Sequence, residues 1–598
     1  MASQESSNEG GTALPGRPDG LGSPSHRKHN VLAWWTIAAL LAAQFVLFVT
    51  TARREVTWFV PMSYDQCTYL LFSYGVYEHM QENGIASGID YGLKVPSMPT
   101  GSLLHVVAPL VFLVFGPSRL AALSINFALY ALCQCCLAGT LAWYTKRWSA
   151  AFLGLGLFLT ALAPFFYAGG LFDFRLDFGG FCLFCVMMCS VVRSGFFMSR
   201  RWALVVGLAA ATLALYRHLT IVYLTGIFGI CLLFVLARMA WQWRNTECRR
   251  RALRQLTSGA MAAVIIATVT MPALLAKWDY LWNYYVIGHL LGEEKKVREA
   301  EVGVTNRFES YLFYLKSADY HTGTVFWYAA GACAGIGLTL CLALWLRRVL
   351  SRKGTSVSSV SGAPGTDTAL AWVFFLACLL VPYAVLTADI AKSYVPGNVL
   401  AVSLLWLALL PALALARRNM TGIVWRSAGA LCAIAAVTCG LLVQQHAYAQ
   451  HQFSGDHPED AAQIVALQNN IVRHCADAGL KRPNLASDFI VEFLCAPVTS
   501  VWAYETQGKM LPVDQTAGLS ILLADDKAIF DALHKSDFVL LTNGSPYASD
   551  AYPFHQRMKE LRPKIAEYCE RELVRLQSYT ILNTTIQLYA RPGIGQKP

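Results

Sequence analysis

Charge is what this sequence has least of. Only 14% of its 598 residues are Asp, Glu, Lys or Arg, against about 25% in an average soluble domain, and 55% are hydrophobic. Long apolar runs are nearly free of charge, and Arg and Lys crowd the gaps between them. That excludes an ordinary soluble globular protein and matches a chain threaded through a bilayer. A basic stripe interleaved with aromatics is also missing. The net charge of +11 therefore follows from topology, and no nucleic-acid partner is expected. No signal-peptide cleavage pattern precedes the first apolar run, which is too long for a signal core. No internal repeat of the kind many transporters carry is visible. Of the 17 cysteines, most fall in apolar runs, where a thiol behaves as a small hydrophobe. Cys475, Cys495 and Cys569 lie in the tail, and spacing alone assigns no disulfide among them.

What is present is a series of apolar runs that we read as about eleven spanning helices, each oriented by its flanking Arg and Lys. They are Asn30–Val49, Leu120–Trp143, Ala150–Tyr167, Gly179–Phe196, Trp202–Leu215, Thr220–Met239, Leu256–Leu275, Thr324–Leu346, Leu370–Leu386, Val395–Ala416 and Ser427–Val443. Basic pairs at Arg27-Lys28, Lys146-Arg147, Arg200-Arg201, Arg347-Arg348 and Arg417-Arg418, with the basic loop Arg244–Arg254, mark the cytoplasmic ends. Arg53-Arg54 is the exception, on the outer side. Leu103–Phe115 is too short to span and reads as a juxtamembrane or re-entrant helix.

The fold class is thus a polytopic α-helical membrane protein with a small C-terminal extracytoplasmic α/β domain. Residues 1–28 form a disordered cytoplasmic tail, 29–446 the transmembrane domain and 447–598 the outer domain. In the last, Glu459–Leu480 and Pro553–Leu573 have helical spacing, while Phe538–Leu541 and Ile586–Tyr589 look like strands. Ser351–Asp367, rich in Ser, Gly and Thr, is a cytoplasmic linker. A multi-pass protein of a bacterial inner membrane, N-terminus in and C-terminus out, fits this pattern.

Threading places the polar features on the outer side. The first outer loop carries Tyr64, Asp65, Gln66, Tyr69, Glu78 and Lys94, and the second Asp173, Arg175 and Asp177. Arg217 and His218 sit at a helix end. Tyr284, Tyr285, His289 and the run Glu293–Arg298 follow, then Asp389, Lys392 and Tyr394. Ionisable groups at a membrane face are costly and usually serve a cavity or a partner. A carboxylate can deprotonate an acceptor hydroxyl, and Arg or Lys can hold a phosphate. Together they suggest chemistry on an anionic lipid. A divalent metal ion is a candidate companion to the carboxylates, but the sequence names no cofactor.

In layout the chain resembles the GT-C superfamily of lipid-phosphosugar glycosyltransferases, nearest to the protein O-mannosyltransferase and aminoarabinose transferase branch. The features that carry the resemblance are an uncleaved first helix and a large first outer loop with an early Asp. Val95-Pro96-Ser97-Met98-Pro99 leads into a short apolar helix, an outer Asp opens a later helix, and Lys392, Tyr394 and Pro396 precede a late one. The resemblance implies transfer of a sugar from a polyprenyl-phosphate donor to a lipid, glycan or protein acceptor, among membrane lipids. It implies that Asp65 is the catalytic carboxylate, with Asp173 or Asp177 matching the second-loop Asp. Arg217 and Lys392 would hold the lipid phosphate, and Tyr64, Tyr69, Arg175, His218 and Tyr394 would line the substrate site. Many members have Asp-Glu where this chain has Asp65-Gln66.

Plainer readings stand beside these. Asp65 can cap a juxtamembrane helix. Asp173 and Asp177, spaced i,i+4, can form a local ion-pair set with Arg175. Arg217 and His218 can snorkel at a helix end, Lys392 can anchor to a lipid headgroup, and Glu293–Arg298 reads as a solvated charge run. His289 reads as structural. At the level of function, a transporter or flippase of lipid-linked glycans and a membrane-anchored binding scaffold are the alternatives.

Overall fold

A computed structural model describes residues 24–61, 64–94, 100–166, 168–291, 302, 304, 306–351, 368–389, 392–416, 423–450, 457–487, 493–508, 510–515, 525–543 and 553–594. The expected tail before residue 24, Val95–Pro99, Glu293–Arg298, most of the 351–367 linker and Arg417-Arg418 lie outside the described residues. The chain divides into two units, Met1–Val46 and Leu47–Pro598. The candidate site lies wholly in the second.

The membrane helices are α1 (Pro24–Thr51), α5 (Arg119–Thr145), α6 (Trp148–Leu159), α7 (Leu176–Arg193), α8 (Arg200–Tyr216), α9 (Thr220–Trp241) and α10 (Thr246–Ala276). They continue as α14 (Thr324–Ser351), α15 (Thr368–Ala388), α16 (Asn398–Ala416) and α17 (Ile423–Gln450). Ten of the expected spans are helices long and apolar enough to cross a membrane. The eleventh, α8, has 17 residues, or about 25 Å at 1.5 Å per residue, slightly short of a bilayer core. The short apolar helix α4 (Leu104–Phe115) is separate from the spans, as its length required.

Two expectations at helix boundaries are corrected. Helix α1 begins at Pro24, inside the expected tail, because Pro suits a helix's first turn and nothing before Asn30 breaks it. The expected basic loop at Arg249–Arg254 is helical. Asn245 caps α10 by accepting from the amides of Glu247 and Cys248, and Glu247 pairs with Arg251 one turn on at 2.9 Å. The cap and the i,i+4 pair let the helix start before the apolar stretch.

Helix α7 is the centre of the bundle: 83% of its apolar window is buried, against 17% for α10 and for α17. It packs on α5, α8 and α16. Helix α17 packs along α6 at two glycines. A Cβ at Gly156 would lie 2.5 Å from the backbone of Ala436, and one at Gly440 would lie 2.6 Å from Leu159. Small residues here let the two backbones approach.

The expected first outer loop is a helical hairpin, α2 (Tyr64–Asn83) and α3 (Ile85–Lys94). Between α10 and α14 lie α11 (Trp278–Leu281), a π-helix (Trp282–Leu291), α12 (Arg307–Lys316) and α13 (Ala318–Thr322). After α17 come α18 (Pro458–Asp477), α19 (Ala496–Gln507), α20 (Asp526–Lys535) and α21 (Pro553–Glu572) around one five-stranded sheet. Its strands are β1 (Asn484–Ser487), β2 (Asp514–Gln515), β3 (Phe538–Thr542), β4 (Val574–Ile581) and β5 (Thr584–Ala590), in the order β2-β1-β3-β5-β4. β1 is parallel to β2 and β3, and β5 is antiparallel to β3 and β4. Leu582 and Asn583, both at positive φ, make the two-residue turn that closes the β4–β5 hairpin. Ile529, Leu533, Val539, Leu541, Met558, Ile565 and Tyr589 form the core between sheet and helices.

Candidate active site at the shared loop face

The connections expected on the outer side come together. The first bond runs from α2 to the turn before α7: the Gln66 amide donates to Phe172 O and to Asp173 Oδ1, both at 3.1 Å. Asn398 at the start of α16 donates to the carbonyl of Asp177 at 2.9 Å. The His321 ring in α13 donates to Tyr394 O at 2.6 Å, and the Lys277 ammonium at the end of α10 donates to Ser102 Oγ at 2.9 Å. His289 lies 3.2 Å from Asp389. At the opposite helix ends, Arg193 stacks on Trp143 and Trp202, and Lys146 on Trp143. The alternation read from Arg and Lys thus sorts the described connections onto two faces, with the acidic and basic candidates on one of them.

On that face the chain Gln66–Asp173–Arg175–Asp65 is the organising element. Asp173 is 3% exposed. Besides Gln66 it accepts from the Gly169 amide at 2.6 Å, and its other neighbour is Arg175 Nε, also at 2.6 Å. Burial pushes its carboxyl up, opposed by Arg175 and the Gly169 amide. Arg175 Nη1 then reaches Asp65 Oδ2 at 2.9 Å. Asp65, in the first turn of α2, has a side chain 58% exposed, and its Oδ1 has no protein donor among the described residues. Gln66 explains the departure from Asp-Glu in this chain's own terms: a Glu here would set a second carboxylate against buried Asp173.

The reading of Asp173 and Asp177 as a local ion-pair set with Arg175 holds for Asp173 and is corrected for Asp177. Arg175 is extended and the helix begins only at Leu176, so helical spacing does not apply across the trio. Asp177, inside α7, pairs instead with Arg217, which ends α8. The Arg217 side chain is 14% exposed, which is no snorkelling geometry. Its charge is felt by Tyr285, whose phenol burial pushes up to about 12 against the pull of Arg217.

The remaining candidates have structural partners. Tyr69 shares a hydrogen bond with Thr100 at 2.9 Å and stacks on His105. Tyr64 is 40% exposed beside Asp65. Tyr394 packs against the rings of Phe313 and Tyr320. Lys392 is 1% exposed and donates to the carbonyls of Leu386, Thr387 and Asp389 at 3.0, 2.7 and 2.5 Å. It caps the C-terminus of α15, where unsatisfied carbonyls and the helix dipole favour a cation, and burial lowers it to about 8. His218 is 3% exposed. Its Nδ1 donates to Ala214 O, so its Nε2 accepts from Ser102 Oγ, and Ser102 in turn accepts from Lys277. Burial lowers His218 to about 4.

Lys277, with no exposed surface and lowered by burial to about 8, was not singled out from the sequence. It stands at the end of an apolar run like many snorkelling lysines. Arg119, 2% exposed and paired with Glu505, was missed as well, because its partner is 386 residues away. Among the described residues no group of three or more His, Cys, Asp or Glu is arranged to hold a metal ion.

Among the described residues, ten helices long and apolar enough to cross a membrane, with a small C-terminal α/β domain, define a polytopic helical membrane protein. No family model matches the chain, and no curated protein matches it. Among solved structures it is similar to ArnT from Cupriavidus metallidurans bound to undecaprenyl phosphate, at 13% identity and a TM-score of 0.45, over 95% of this chain and 100% of that one. It is similar to the apo form of the same protein at 10% identity and 0.40, over 94% and 98%. The archaeal oligosaccharyltransferase AglB from Archaeoglobus fulgidus, in complex with an inhibitory peptide and a dolichol-phosphate, is similar at 11% identity and 0.48, over 85% and 69%. At these identities and TM-scores the likeness carries no residue's role with it.

Proposed function

We propose that the chain is a membrane glycosyltransferase that moves a sugar from a polyprenyl-phosphate donor to an acceptor hydroxyl on the outer side. The observation that carries this reading is the Asp65 carboxylate: exposed, with one oxygen open, and held from behind by Arg175, which Asp173 anchors in turn. Hydrogen-bonded supports of this kind keep a reacting group in one orientation. In the proposed step the acceptor oxygen bonds to the anomeric carbon as its proton passes to Asp65. The bond from that carbon to the phosphate oxygen breaks, and polyprenyl phosphate leaves with its electron pair. Arg217, cationic and partly exposed beside Asp177, is the group we assign to the phosphate. Lys392 serves the site by capping α15 beside it.

The test is release of polyprenyl phosphate from candidate polyprenyl-phosphate sugars by the purified protein. Asp65→Asn is expected to lower turnover by about 10²–10⁴-fold with little change in donor binding. Arg217→Ala is expected to weaken donor use by roughly 10- to 150-fold, the range for a charge-assisted contact. No release from any such donor sinks the transferase reading and favours transport of lipid-linked glycans. Full activity in Asp65→Asn moves the base elsewhere.

A further inference from the structure

The tail domain meets the bundle at a buried ion pair. Arg119, at the first position of α5, is 2% exposed, and its Nε lies 3.0 and 2.8 Å from the two Glu505 oxygens in α19. The same guanidinium reaches Thr57 O at 3.4 Å. Tyr74 of α2 donates its hydroxyl to Glu505 Oε1 at 3.0 Å, and its ring stacks on Tyr504 at 4.4 Å. Tyr74 has no exposed surface and Tyr504 is 4% exposed. α2 thus packs along α19, with Cys67 and Cys495 both fully buried nearer their N-terminal ends. One tail carboxylate therefore binds α5 and α2 together, and α2 is the helix whose first turn carries Asp65.

Resting on the transferase reading above, we propose that Glu505 is a positioning residue: through Tyr74 and Arg119 it clamps α2, and so fixes Asp65 against Arg175. A carboxylate is suited to this, because it can accept from the guanidinium and the phenol at once. Replacing it leaves Arg119 buried without its acid, which loosens the whole contact. The clamp acts on the orientation of Asp65 and leaves Arg217 and the donor phosphate untouched.

Two variants of the full-length protein test it, each with two readouts. Glu505→Gln removes the charge, and Tyr74→Phe removes one hydrogen bond while keeping the ring on Tyr504, so the second variant serves if the first does not fold. The first readout is alkylation of Cys67 by a maleimide, followed by peptide mass spectrometry, which needs no substrate. The second is kcat and donor KM for polyprenyl phosphate release. The expected result is faster alkylation of Cys67, kcat lowered on the order of 10²-fold in Glu505→Gln and less in Tyr74→Phe, and unchanged donor KM. Unchanged protection of Cys67 overturns the clamp. Faster alkylation with unchanged kcat overturns the positioning role. A raised donor KM at constant kcat also overturns it, since the effect would then fall on donor binding. If the unaltered protein releases nothing, the transferase reading fails, while the alkylation readout still decides whether Glu505 holds α2.

Discussion

Lowering the pH from 7 to 5 offers protons to histidines that the fold keeps neutral, and His218 is the one whose partners are fully determined. Its Nδ1–H is committed to Ala214 O and its Nε2 lone pair to Ser102. A second proton would have to displace the serine hydroxyl beside the Lys277 ammonium. Burial is the main cause that lowers it from 6.5 to about 4, with Lys277 pushing the same way. At pH 5 an unfolded histidine is almost wholly protonated, whereas folded His218 is roughly one-tenth protonated, so the unfolded state binds more protons and gains on the native one. The sign is therefore loss of stability as pH falls through 6.5 toward 4, levelling off below 4. Linkage gives about 2 kcal/mol lost between pH 7 and pH 5 from this residue. His218→Gln keeps an acceptor for Ser102 and cannot titrate. Unfolding of both proteins in detergent at pH 7, 6 and 5 should show the variant losing about 2 kcal/mol less than the parent over that range. Equal losses in the two proteins would refute the assignment of a neutral, doubly bonded His218.

Gln66→Glu sets a new carboxylate against Asp173, so its melting temperature should fall at pH 7 and recover toward pH 5 as the pair takes up a proton; a flat pH response would show that the two do not face each other. Lys392→Met leaves the carbonyls of Leu386, Thr387 and Asp389 without their donor and should cost about 3 kcal/mol in unfolding experiments; loss of donor binding at full stability would return Lys392 to the phosphate. Single-cysteine reporters after Arg254 and at Pro598 should differ in reactivity toward a membrane-impermeant thiol reagent on intact cells, the second reacting and the first not. Reaction of only the first would invert the orientation and take Asp65 to the cytoplasm.

Patterns with a short physical range were legible in the sequence. Apolar length and flanking Arg and Lys located the spans, since each is decided by a helix and the bilayer around it. The shortness of Leu103–Phe115 was enough to keep it out of the count. Side-chain pairing was not legible. Asp177 looks like a neighbour of Asp173 in the sequence, yet the chain turns between them and hands Asp177 to Arg217. Lys392 and Arg217 read alike as cations at helix ends, and only the fold distinguishes one that caps three carbonyls from one that faces a carboxylate. Glu505 gave no signal at all, because its partners Arg119 and Tyr74 come from two helices more than 380 residues upstream.

The two glycines where α6 and α17 touch make the last membrane helix a stalk on a fixed pivot. A methyl group at position 156 would stand 2.5 Å from the Ala436 backbone, so the two helices would have to part to admit it. Beyond Gly440 the stalk continues ten residues to Gln450, a lever of about 15 Å leading to the tail domain. A residue larger than glycine at either position would therefore cost the close backbone contact that seats α17 on α6.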